Sequence, residues 1–116
     1  MIVRLQKPWA ELTNTSVANL PGQLGVYELA DSNKTVVYVG YAGGRSLFGL
    51  RSELQRWLTV RAGELTYFRY EVNMQYISRY KELLMVHVAD HHGKLPLLCT
   101  DVDQKSLGRL MPMNVR

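Results

Sequence analysis

The stretch Leu24-Gly25-Val26-Tyr27-Glu28-Leu29-Ala30-Asp31-Ser32-Asn33-Lys34-Thr35-Val36-Val37-Tyr38-Val39-Gly40 decides how the chain folds. Two runs rich in Val, Leu and Tyr flank four polar residues, Asp31 to Lys34, whose side chains favour turns. The pattern predicts a β-hairpin. With those four residues as the loop, Ala30 faces Thr35, and counting outward sets Tyr27 opposite Tyr38 on one face of the pair. A slip of one residue would send the two phenols to opposite faces.

Downstream of the hairpin, a glycine-containing loop, Tyr41 to Arg45, leads to Ser46, an N-cap residue type. Leu47, Leu50, Leu54, Trp57 and Leu58 follow at spacings that describe one buried helix face, so a helix is expected over 47–60, closed by Gly63. Thr66 to Val72 alternates aromatic or β-branched residues with polar ones and reads as a third strand. Asn73 then caps a long helix from Met74 to His92, which Gly93 ends in the left-handed position before Pro96. In that helix Ile77, Tyr80, Leu84 and Val88 form the expected core stripe. A short last helix is expected from Asp101 or Asp103 to Leu110, stopped by Pro112. The first two dozen residues and the tail after Gly108 read as wrapping segments. The order of elements predicts an α+β domain with a small three-stranded antiparallel sheet flanked by helices.

The 116 residues suit one domain over 1–116, and 47% hydrophobic content is enough for a single core. Fourteen Lys and Arg against ten Asp and Glu leave a net charge of +4, which favours a polyanionic partner. The one cysteine, Cys99, excludes an internal disulfide and a cysteine-built zinc cluster, making the cytoplasm the default compartment. It reads as a small buried hydrophobe. Without an apolar run of membrane length or a signal-peptide core, a soluble, unprocessed protein is expected. His87 and His91 stand one helical turn apart without a nearby third ligand, and read as helix-end charges complementing the dipole.

Gly25-Val26-Tyr27, ten intervening residues, Tyr38-Val39-Gly40, an arginine on the next helix and a glutamate on a later one together resemble the GIY-YIG nuclease superfamily. The resemblance spans roughly 21–96. It implies metal-dependent endonuclease chemistry on phosphodiester bonds in DNA. By this resemblance Tyr27 or Tyr38 takes a proton from the attacking water and Arg51 clamps the phosphate, with Arg45 as the other arginine to weigh. Glu82 holds Mg²⁺ or Mn²⁺ through oxygen. Helical spacing puts Glu82 in a stripe with Ser78, Met85, Val86 and Ala89, where a carboxylate needs a partner: the cation, or a salt bridge to Lys81, Arg79 or a sheet residue. One departure is plain, because no asparagine occurs between Leu83 and Met113 where the family carries one; Thr100 could lend polar support there. The alternative to turnover is an inactive nucleic-acid-binding or interaction module of the same fold. With no appended recognition domain visible, specificity would come from loops, a homodimer or a protein partner.

Overall fold

A computed structural model describes residues 4–44, 48–60 and 65–99. Ser46 and Gly63, the proposed ends of the first long helix, lie outside these residues, as do Arg45, Thr100 and the last helix expected after Asp101.

The elements in chain order are β1 (Ala10–Glu11), α1 (Asn14–Ala18), β2 (Gly25–Ala30), β3 (Val36–Ala42), α2 (Gly49–Val60), β4 (Tyr67–Val72) and α3 (Tyr76–Asp90). The architecture is α+β, as expected, but the antiparallel sheet has four strands in the order β1-β4-β2-β3. The additional strand comes from the amino-terminal region expected to be loosely built. Ala10 and Glu11 have no β-forming character of their own; they are a strand because Ala10 pairs Phe68 and Glu11 pairs Tyr67. Thr13 and Ser16 then start α1 with a reciprocal cap, each side chain accepting the other's backbone N–H at 3.1 Å.

The β2–β3 hairpin forms with a different register. Tyr27 faces Gly40 and Leu29 faces Tyr38. The cause is the carboxylate of Asp31, which accepts the N–H groups of Asn33 at 2.9 Å and Thr35 at 3.0 Å. Asp31 N–H donates to Thr35 O at 3.1 Å, while Lys34 takes a left-handed φ of 63°. The turn therefore closes between Asp31 and Thr35, Ala30 pairs Val36, and Val37 bulges out before Tyr38 meets Leu29. Two residues of offset preserve the alternation, so Tyr27 and Tyr38 still share a face, as diagonal neighbours with ring centroids 6.0 Å apart.

β2 is flanked by β3 and β4, and all six of its residues are buried. Tyr27 and Leu29 point into a core with Leu50, Leu54 and Trp57 of α2, the helix face expected from its spacing. Val26 points the other way, into a second core with Val39, Leu83 and Leu84 under α3. The two long helices thus cover opposite faces of the sheet.

α3 is shorter than expected and starts at Tyr76, with Gln75 at its cap position; Asn73 contributes from two residues earlier, its Oδ1 accepting Gln75 N–H at 2.8 Å. α3 ends in two left-handed residues, His92 at φ 57° in the position expected of Gly93, and Gly93 itself at φ 86°, which donates to Val88 O at 2.9 Å. Its buried face holds Leu83, Leu84, Val86 and His87, whereas Ile77 is 42% exposed. Apolar residues lie around most of this helix, so spacing alone favoured a stripe rotated from the one that packs. His87 also differs from its helix-end reading: burial and the neighbouring His91 hold its pKa near 4, so it is a neutral core imidazole at pH 7. No described helix is long and apolar enough to cross a membrane.

Candidate functional site

Gly40 sits opposite Tyr27, and its missing side chain leaves the space the phenol fills. A Cβ built on Gly40 would lie 2.6 Å from both Cζ and Oη of Tyr27 and from Cε2 of Tyr38. The ring of Tyr38 packs on Trp57, centroids 4.6 Å apart. Tyr27 Oη accepts Trp57 Nε1–H at 3.0 Å and donates to Glu53 Oε1 at 3.3 Å; that carboxylate also accepts from Arg56 Nη2 at 2.9 Å. The Tyr27 hydroxyl is thus both donor and acceptor inside a core, and burial, followed by the fields of Tyr38 and Glu53, raises its pKa well above the ordinary phenol value.

Arg51 lies in the first turn of α2. That turn docks on the segment ahead of β2: Leu50 N–H donates to Gln23 O at 2.9 Å, and Gly49 has a φ of 57° with its α-carbon so close that a Cβ would stand 2.3 Å from Gln23 O. Only glycine fits there. The docking brings the Arg51 guanidinium against Gly22 and over the ring of Phe48, 5.5 Å from its centroid. Its Nε is buried and has no hydrogen-bond partner among the described residues, while Phe48 is 52% exposed.

Glu82 lies across the sheet from Tyr27, on α3. Its carboxylate is bonded to Arg79 Nη1, whose guanidinium also holds Glu71 through Nε at 3.0 Å and Nη2 at 3.2 Å. Asn73 Nδ2 donates to the same Glu71 at 2.9 Å. Of the four residues named from sequence, the fold brings Tyr27 and Tyr38 together. Arg51 occupies the α2 end of the same side, and Glu82 is on the other.

Residues 3–90 match the model of a family described as Domain of unknown function (DUF7508). The chain belongs to that family. Comparisons with curated proteins and with solved structures found no match. The match to DUF7508 takes in every described strand and helix and stops where α3 ends.

A divalent cation at Glu82 of this DUF7508 domain would have to displace Arg79, and among the described residues no three His, Cys, Asp or Glu side chains gather into a cation site. In this structure Glu82 takes the salt-bridge alternative, its carboxylate bonded to Arg79. Sequence reasoning missed Trp57 and Glu53 as partners of Tyr27, and Glu71 as the second carboxylate on Arg79. Glu53 and Trp57 lie one turn apart on α2, a spacing that could have marked them as sharing a partner.

The state of the Tyr27 phenol has a measurable consequence. A group whose folded pKa is raised contributes nothing below its unfolded pKa of about 10 and costs stability above it, because only the unfolded chain ionises freely. Of the seven tyrosines, Tyr27 is expected to ionise only as the protein unfolds in alkali. Absorbance titration near pH 10–12 should show a late, cooperative step that coincides with loss of circular dichroism and is missing in Tyr27→Phe; a gradual titration of all tyrosines in the folded protein refutes this.

Proposed function

We propose that this domain binds nucleic acid with a layout like that of the GIY-YIG superfamily, its motif tyrosines serving the scaffold and Arg51 receiving a phosphate. Arg51 carries this reading: a guanidinium over an exposed aromatic ring, with a buried Nε that no described residue engages. Arginine on an aromatic face suits a backbone phosphate beside a stacked base. The net charge of +4 supplies general attraction.

Fluorescence anisotropy with labelled single-stranded, duplex and branched DNA tests it. Binding should weaken steeply with salt and fall about tenfold in Arg51→Ala, the loss of one charge-assisted contact. Absence of binding at about 50 mM salt overturns it.

Metal-dependent hydrolysis of DNA is the second reading, favoured by Tyr27 and Tyr38 sharing a face in the motif order. It requires Glu82 to leave Arg79 for Mg²⁺ or Mn²⁺. Cleavage of plasmid or branched DNA that depends on the metal and disappears in Glu82→Ala would establish it in place of the first.

A further inference from the structure

The two edges of the sheet are finished differently. Beyond α3 the chain returns along β3, where Leu98 N–H donates to Val37 O at 2.8 Å and the Cys99 thiol meets Val39 N and O at 3.5 and 3.6 Å. On the other edge, β1 pairs β4 at Tyr67 and Phe68 alone. Leu12 N–H donates to Thr66 O, pointing away from β2, while Asn73 N–H donates to Leu24 O, pointing toward it. Alternation between these marks turns the N–H and C=O groups of Tyr70 and Val72 outward. No described strand lies beside them.

The amino-terminal segment leaves this edge before reaching it. Pro8 has no N–H to offer, Lys7 O accepts from Arg69 Nη1 at 3.3 Å, and Leu5 is buried in the core under α3. The space it leaves is a cleft of about 480 Å³ between Lys7, Pro8 and Ala10 and the strand from Phe68 to Val72. Val72 at its end is 44% exposed. No described strand pairs this stretch, and an unpaired strand edge invites another strand.

We propose that the open edge of β4 pairs with itself, a second copy adding its own β4 antiparallel about a two-fold axis through Glu71. The main chain selects this register. Centred on Glu71, each copy's Tyr70 meets the partner's Val72, so every outward group of both residues is used. Centred on Tyr70, Val72 would run onto the partner's Phe68, whose outward groups face Ala10. Centred on Val72, pairing would run past the end of the strand. The side chains agree: Tyr70 against Val72 is a favourable aromatic and β-branched cross-strand pair. The two Glu71 carboxylates meet at the axis, each already held by its own Arg79 and with Lys7 lining the same cleft, so their repulsion is compensated.

Light scattering and sedimentation of the full chain over a concentration series test this. A dimer is expected, with amide exchange of Tyr70 and Val72 slowing as the dimer forms. Val72→Pro, which deletes an outward N–H, and Val72→Lys, which charges the edge, should each raise the dimer dissociation constant at least about tenfold. A chain monomeric to about 1 mM, or a dimer that both variants leave intact, overturns the proposal. So does exchange at Tyr70 and Val72 that ignores concentration, a readout that needs no variant to fold. Protection of those amides by an added extended peptide without self-association would assign the edge to a different partner. Arg51 is on α2, away from β4, so failure of DNA binding leaves this result untouched.

Discussion

Replacing Gly40 by alanine is expected to destabilise the domain by about 3 kcal/mol, combining overpacking of a core with loss of a buried hydroxyl's hydrogen bonds. The new methyl would stand 2.6 Å from the Tyr27 ring carbon and hydroxyl and from Tyr38 Cε2. Neither ring can yield easily. Tyr27 is fully buried and pinned by Trp57 and Glu53, and Tyr38 is wedged against Trp57. Urea unfolding of wild type, Gly40→Ala, Tyr27→Leu and the double variant measures the effect. The double variant should be less damaged than the sum of the two singles, because removing the phenol makes room for the methyl. A loss below about 0.5 kcal/mol in Gly40→Ala would show that the rings relax.

Removing Arg69 is expected to cost about 3–5 kcal/mol at pH 7, the usual effect of leaving one buried charge without its partner. Glu28 is 6% exposed and its carboxylate receives Arg69 Nε at 2.8 Å. Burial already raises the Glu28 pKa, with Arg69 pulling it down. A carboxyl whose folded pKa is raised costs stability above its unfolded pKa; the cost begins to shrink as pH falls through the folded pKa and is gone below the unfolded one. Without Arg69 the folded pKa climbs further, so the penalty at pH 7 grows and relief begins at a higher pH. Urea midpoints of Arg69→Ala at pH 7 and pH 5 should therefore converge on wild type in acid. Glu28→Gln added to Arg69→Ala should restore much of the loss and remove its pH dependence. An Arg69→Ala deficit that does not shrink in acid would trace the damage to lost packing against Trp9, over whose ring Arg69 lies at 4.1 Å.

What could be read from the residues, and what could not, follows the range of the forces involved. The hairpin, the α2 face and the end of α3 just ahead of Gly93 are local, written in turn residues and apolar spacing within one or two turns. The hairpin register escaped because it depends on which backbone groups the Asp31 carboxylate chooses and on the bulge at Val37. β1 escaped because Ala10 and Glu11 become a strand only by meeting β4. For the candidate site, the shared face of Tyr27 and Tyr38 was legible from alternation. The side of the sheet on which Glu82 falls was not, since it depends on the face to which the chain carries α3 after β4. Arg79 was among the partners foreseen for Glu82, being three residues away on the same helix.

Val26 and Tyr27 are joined by a single peptide bond yet belong to different cores, one beneath α3 and one beneath α2. Neither core can loosen by letting β2 fray without opening the other, so the two helix layers are expected to melt together. Heat or denaturant should meet a single cooperative unit, and a substitution beneath one helix will be felt as a change in the opening of both.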